Sequence, residues 1–386
     1  MRFYRRFTKR QYMCLWFFLI LFFVFYVEFY LYLSNTLSWL KPKCGNRNNC
    51  TNILLVADPQ VLGERKEMFS FVTPFSIADS DFFLKKTYSW AYRFAEPDVV
   101  IFLGDLMDEG SIARDEEFFA YARRIYNVFT DSSPTAVKHI WLPGDNDVGG
   151  EEFDGITDQK MKRFHRAFPQ PELIVHKNIT FFKINRLILS IPVFKEKRDF
   201  YDTSKIFIGL SHLPLIFLPS PFVEKVFRKM LPQVLFTAHE HKSMIVITDA
   251  LIRQDSQIIP VTPDNNKIYE YPLGSTDMYE FIIPTCSYRM GTDKIGYGFA
   301  VLGMYVLSHV VQCNRVVINT VFMLQNKMKY VIQCFGLRPV LPNFIIIPFL
   351  HVLTCYVFVF VTIVKVQKNG LVEPDQYLSN PKYNCA

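Results

Sequence analysis

Five short apolar runs in the middle of this chain each stop at a residue able to bind a metal ion. Residues 52–57 end at Asp58-Pro59-Gln60, and residues 99–103 end at Gly104-Asp105, with Asp108 just beyond. Residues 139–142 end at Pro143-Gly144-Asp145-Asn146-Asp147, residues 205–210 at Ser211-His212, and residues 233–237 at Ala238-His239-Glu240-His241. One Asp after a strand is ordinarily a turn former, and one His in an apolar setting is ordinarily a satisfied core residue. Their ordered recurrence reads differently: carboxylates and imidazoles gathered from several strand ends are donors that a divalent ion takes. His239 and His241 point the same way if their strand stays extended to residue 241.

Those runs must be positioned by a scaffold, and the intervening residues supply one. Helical patterns cover residues 79–94, 113–129, 158–168 and 221–231, so strand, loop and helix alternate as in an α/β architecture. In such sheets ligands gather beyond the carboxyl ends of the strands, where all five metal-capable endings fall. Residues 180–194 read as two strands around Asn185-Arg186, and a similar pair flanks Asn314-Arg315, which adds a mixed, partly antiparallel second sheet. Residues 253–273, rich in Pro, Asp and Asn, read as a loop near the mouth of the site.

The series Asp58-x-Gln60, Gly104-Asp105-x-x-Asp108, Gly144-Asp145-Asn146-Asp147, Ser211-His212 and His239-x-His241 resembles the calcineurin-like metallophosphoesterase family. That family's pattern is D-x-H, G-D-x-x-D, G-N-H-D, a lone H and G-H-x-H, and the resemblance covers about residues 52–325. The run from Ala57 to Glu64 and the run Leu103-Gly104-Asp105-Leu106-Met107-Asp108-Glu109-Gly110 look like its membrane-bound eukaryotic branch. That branch includes the yeast Cdc and Ted phosphoesterases and the vertebrate enzyme that trims GPI glycans.

The resemblance implies a sandwich of two mixed β-sheets flanked by helices, and a hydrolase working with two divalent ions. Such ions, about 3.5–4 Å apart, clamp a phosphate and stabilise the attacking and leaving oxygens. Asp105 is then the bridge, Asp58, Gln60 and His241 hold one ion, and Asp145, His212 and His239 hold the other. The implied substrate is a lipid-anchored phosphodiester such as ethanolamine phosphate on a GPI glycan. Its removal from GPI-anchored proteins would support their export from the endoplasmic reticulum to the Golgi.

Three positions depart from the commonest motif: Gln60 and Asn146 replace His, and Asp145 replaces Asn. An amide oxygen and an extra carboxylate suit harder ions, which favours manganese, with magnesium, zinc and iron as the other candidates. Asn146 stands where the family places its general acid, with Asp147 as the supporting carboxylate, and an amide does not titrate near neutrality. Losing a general acid costs about 100- to 10,000-fold in rate. The second reading is therefore a weak or inactive relative that binds phosphoglycan or cargo through its metal site. His139, His165 and His176 are read as structural or surface residues.

Of 386 residues half are apolar, and the 38 Phe and 20 Tyr are unevenly placed, dense in the first 35 residues and again near the end, so part of that content is read as serving lipid. Residues 12–33 form an apolar run broken only by Glu28, long enough for a roughly 30 Å hydrocarbon core. It exceeds a signal-peptide core of about 7–15 residues, and no small-x-small cleavage site follows it. Residues 344–364 form a second candidate span. Arg2, Arg5, Arg6, Lys9 and Arg10 before the first run, and Lys365 and Lys368 after the second, predict both termini in the cytosol. The expected organisation is a basic tail (1–11), a span (12–33), a linker (34–51), a lumenal catalytic domain (52–335), a span (344–364) and a tail (365–386), in the endoplasmic reticulum or Golgi.

Asn49 and Asn178 head N-glycosylation tripeptides, which act only in a lumenal domain. A short disulfide between Cys44 and Cys50 is plausible in that compartment. The net charge of +7 is largely that of the basic tail, so the bilayer and a lipid-anchored substrate are the expected partners and nucleic acid is not.

Overall fold

Apolar runs of four to seven residues become strands where flanking turns stop them, and the computed structural model places them in two sheets. It describes residues 8–42, 50–65, 73–130, 137–150, 154–193, 205–250, 253, 255–263, 267–274, 276–292, 294–307 and 311–322. The elements are α1 (Lys9–Phe25), a π-helical turn (Tyr26–Tyr30), α2 (Leu31–Leu37), β1 (Cys50–Val56), α3 (Thr73–Ala95), β2 (Val99–Phe102), α4 (Asp115–Phe129) and β3 (Lys138–Trp141). Then come α5 (Asp145–Val148), α6 (Asp158–Ala167), β4 (Leu173–His176), β5 (Ile179–Lys183), β6 (Ile206–Leu210), α7 (Pro221–Met230) and β7 (Val234–Thr237). The series closes with β8 (Met244–Asp249), β9 (Ser256–Pro260), β10 (Tyr269–Pro272), β11 (Asp277–Ile282), β12 (Gly296–Leu307) and β13 (Val311–Phe322).

One sheet runs β10-β13-β12-β1-β2-β3 and the other β4-β5-β6-β7-β11-β8-β9. β1, β2 and β3 are parallel to one another, as are β5, β6, β7 and β11, so their carboxyl ends lie on one edge of each sheet. Strand alternation splits the apolar residues between two faces. Ile53, Leu55 and Ile101 meet Phe181, Ile208 and Phe236 in one buried cluster. Leu54, Val100 and Phe102 pack with Leu84, Phe118 and Phe164 of α3, α4 and α6, while Phe182 and Leu235 pack with Val226 and Phe227 of α7. Each such side chain contributes roughly 1.5–3 kcal/mol when fully buried.

Helix starts follow local chemistry. Ser220 accepts from Val223 N at 3.3 Å ahead of Pro221, and Glu117 accepts from Arg114 N at 2.8 Å to cap α4.

Three sequence expectations change. Among the described residues, 180–193 continue β5 and then form a loop closed by an isolated Asn185–Ser190 bridge in place of the second strand. Asn314 and Arg315 lie inside β13, because pairing with β12 along its whole length holds the backbone extended through them. Residues 253–273 include β9 and β10, each recruited as an extra strand by a neighbour's unpaired edge.

Helix Lys9–Leu37 is long and apolar enough to cross a membrane, with a mean hydropathy of 2.2. Residues 344–364, Asn49 and Cys44 lie outside the described residues. Cys50 is disulfide-bonded, and Asn178 is exposed in the turn between β4 and β5.

Candidate metal centre

The loops after β1, β2 and β3 are tied to one another before any side chain is considered. Gln60 N donates to Asp105 O at 3.0 Å, Val61 N to Leu106 O at 2.9 Å, and Asp108 N returns to Val61 O at 3.1 Å. Asp147 fastens the third loop, accepting from Leu106 N (3.1 Å), Met107 N (3.0 Å) and Gly144 N (2.9 Å). Gly144 is required here, since a Cβ would lie 2.1 Å from Asp105 Oδ1. Asp58, Gln60, Asp105, His239 and His241 all take left-handed backbone angles, with φ of 46°, 41°, 50°, 71° and 55°. The two histidines thus sit on a loop after β7, and the condition of an extended strand to residue 241 is not met because the chain turns once it leaves the sheet.

These turns bring the side chains together. His212 Nδ1 lies 2.8 Å from Leu103 O, and its Nε2 lies 2.8 Å from Asp145 Oδ1 and 3.4 Å from Asp105 Oδ1. Asp58 Oδ1 is 3.8 Å from His212 Nδ1, and His239 Nδ1 is 3.3 Å from Asp145 Oδ1. Two groups result, Asp145–His212–His239 and Asp58–Asp105–His212, each with donor atoms within 4.8 Å of one another. The first group is the set that the resemblance implies for one ion, and His212 lies beside the Asp58–Asp105 pair as well. Gln60 Nε2 donates to Asp105 Oδ2 at 3.1 Å, and Asn146 Nδ2 donates to the same oxygen at 2.7 Å.

The residues present fit divalent ions. Asp58 is fully buried with neither carboxylate oxygen hydrogen-bonded, and Asp145 Oδ2 is in the same condition. Leaving a buried carboxylate unpaired is costly, and a cation is the partner that removes the cost. Burial, with the Asp105 charge, pushes the Asp58 carboxyl up to about 8. Burial and Asp105 likewise push Asp147 up to about 7. For His212 burial opposes the charge, but Asp105, Asp145 and Asp58 outweigh it and raise the imidazole well above its ordinary range. Burial also opposes ionisation of Asp145, yet hydrogen bonds from His212 and His239 hold its carboxyl low.

A stability prediction follows from these directions. Asp58 and Asp147 hold their protons more tightly folded than unfolded, so that stabilisation is present at about pH 4 and lost as pH rises through 7–8, and the raised His212 acts in the same direction. In chelator the protein is expected to unfold on the order of 5 °C higher at pH 5.5 than at pH 8.5. Divalent ions should reverse that order, because carboxylates bind them only when ionised. Thermal unfolding at both pH values checks this, and a flat profile in chelator would remove the assigned electrostatics.

Residues 51–243, half of the chain, match the calcineurin-like phosphoesterase family. The chain belongs to that family. A Metallophosphoesterase 1 homolog from Drosophila melanogaster is 30% identical over 96 residues, 25% of this chain and 24% of that protein. Cell division control protein 1 of Saccharomyces cerevisiae is 23% identical over 265 residues, 62% of this chain and 53% of that one. The chain therefore spans about a quarter and about half of the length of these relatives. The solved structure of PhoD overlaps at a TM-score of 0.37 with 9% identity, covering 74% of this chain and 72% of its own, too slight a likeness to bear on fold or chemistry.

A calcineurin-like phosphoesterase domain is a hydrolase domain that takes two divalent ions, and the gathered donors Asp58, Asp105, Asp145, His212 and His239 suit such ions. In this calcineurin-like phosphoesterase two supporting residues escape the sequence reading. Thr285 Oγ1 donates to Asp58 O at 2.7 Å and fixes the turn that presents Asp58. Glu280, fully buried on β11, accepts from Leu215 N (2.6 Å), Phe217 N (2.8 Å) and Thr237 Oγ1 (3.2 Å), bracing the loop that carries His212. The signal for Glu280 was legible as an acid inside the apolar run of residues 278–283.

Proposed function

We propose that this protein is a metal-dependent phosphoesterase acting on a membrane-linked phosphodiester. The observation that carries this reading is the Asp58 carboxylate, buried with no hydrogen bond to either oxygen beside Asp105 and His212. Bound there, two divalent ions would polarise the phosphate and activate water. The chain's own residues do the rest. Asp105 is held by Gln60 and Asn146, Asp147 locks the two loops that carry Asp105 and Asp145, and His212 is oriented by Leu103 O.

The finer reading is an enzyme of the membrane-bound branch that removes ethanolamine phosphate from GPI glycans on anchored proteins, in the lumen of the endoplasmic reticulum or Golgi. Both termini would be cytosolic, and the activity would support export toward the Golgi. The apolar helix Lys9–Leu37 supports it, since an enzyme tethered to the bilayer meets a lipid-anchored substrate at high effective concentration. Manganese is the ion proposed, given the oxygen-rich donors Asp58, Asp105 and Asp145.

The test uses the detergent-solubilised full chain stripped by chelator. Hydrolysis of an aryl phosphodiester is expected to be absent, then restored by manganese as about two ions bind per chain. Release of ethanolamine phosphate from a GPI glycan under the same conditions tests the substrate. Bound metal with no turnover on either compound establishes the binding-module reading that Asn146 favours, because its amide occupies Asp105 Oδ2 where the family has an imidazole. No bound metal overturns the centre itself.

A further inference from the structure

Glu28 is the one acid of the apolar run at residues 12–33, and it meets a cation from α3. Its Oε2 lies 2.6 Å from Lys86 Nζ, with the two side chains only 19% and 16% exposed. The ammonium also sits over the rings of Tyr32 (4.5 Å), Phe82 (5.3 Å) and Phe29 (5.4 Å). Glu28 lies in the π-helical turn, a widening of the helix that often accompanies a special role.

Along α3, Phe75, Phe82, Lys86 and Arg93 follow one another at steps of seven, four and seven, which places them on one stripe. Phe75 and Phe82 are 53% and 48% exposed. The face turned to the core carries Ser80, Phe83, Leu84, Thr87 and Tyr88 instead. The acids of α3 are engaged elsewhere, Asp79 with Tyr288 and Asp81 with Arg124. Two exposed rings at one end of the stripe and two cations at the other, with Asp79 between them buried and bonded to Tyr288, suit a surface that gives its rings to lipid and its cations to headgroups.

The occupant of that stripe is fixed by Glu28. A carboxylate at the edge of hydrocarbon is tolerated when a cation pairs with it, so Lys86 must reach the level at which the apolar run leaves the lipid. Phe29, whose ring the same ammonium faces, and Leu33 on α2 are also exposed and continue the apolar surface. We infer that α3 docks on the bilayer surface through Phe75 and Phe82, pinned by Glu28–Lys86, and so sets the height of the metal centre above the lipid. This rests on the reading of Lys9–Leu37 as a membrane anchor.

The full chain is reconstituted into phosphatidylcholine vesicles with and without brominated acyl chains. Phe75→Trp, Phe82→Trp and Leu218→Trp variants are compared with wild type, Leu218 being an exposed apolar residue on the loop after β6. The added emission at 75 and 82 is expected to fall by about half or more in brominated lipid, while that at 218 is unchanged. Lys86→Glu should release residue 82 from quenching, and adding Glu28→Lys should restore it. Quenching at 218 without quenching at 82, or at none of the three, overturns the docking while the chain stays in the vesicles. Release of the wild-type chain by alkaline carbonate overturns the anchor reading and the docking together.

Discussion

Asp105→Asn is expected to lower phosphodiester hydrolysis by roughly 1,000-fold or more, with fewer than two ions retained per chain. The variant keeps the shape of the side chain and removes its charge, so packing is nearly untouched. What changes is chemical. Asp105 accepts from Gln60 Nε2 at 3.1 Å, Asn146 N at 3.0 Å and Asn146 Nδ2 at 2.7 Å, and faces His212 Nε2 at 3.4 Å. An amide nitrogen in place of either oxygen turns a donor toward donors and offers no anion to bind two cations. Metal content, rate and unfolding temperature measured together separate the effects. A loss below about tenfold with both ions retained would show that Asp105 does not bridge.

The opposite experiment adds a function. Asn146→His should raise hydrolysis of an alkyl phosphodiester by about 100-fold, within the usual range for general-acid catalysis. The change fits the loop, because Asn146 O is held by Ser111 N at 2.7 Å, and the side chain is only half-buried. An aryl phosphodiester, whose leaving group needs no proton, should gain far less, and only the alkyl reaction should acquire an acid limb in its pH profile. Equal gains on both substrates would mean that the imidazole acts by binding metal or phosphate rather than by giving a proton.

Much of this site was legible because strands that stop abruptly announce themselves. Ile53, Leu54 and Leu55 cannot continue past Asp58-Pro59, and Ile101 and Phe102 cannot continue past Gly104, so the loops could be placed from composition alone. The pairing of a sheet is harder to read. Asn314-Arg315 looks like a turn until β12 is known to run beside it, and β9 is a strand only because β8 offers it an edge. Thr285 went unnoticed because its part is played by a hydroxyl toward a backbone oxygen 227 residues away, a contact without any local pattern. That His212 lies close to both the Asp145 and the Asp58–Asp105 carboxylates was not legible either, since the distance between loops is a property of the two packed sheets.

The five left-handed residues at the metal centre have a consequence for anyone seeking a hardier protein. Each non-glycine residue held in that conformation costs on the order of 1 kcal/mol, and together they approach the margin by which ordinary domains stay folded. A selection for heat resistance alone would drift toward glycine at Asp58, Gln60, Asp105, His239 and His241, where glycine relaxes the chain. Survivors of such a selection would be robust and inert, and sequencing them would mark the metal centre without a single assay of turnover.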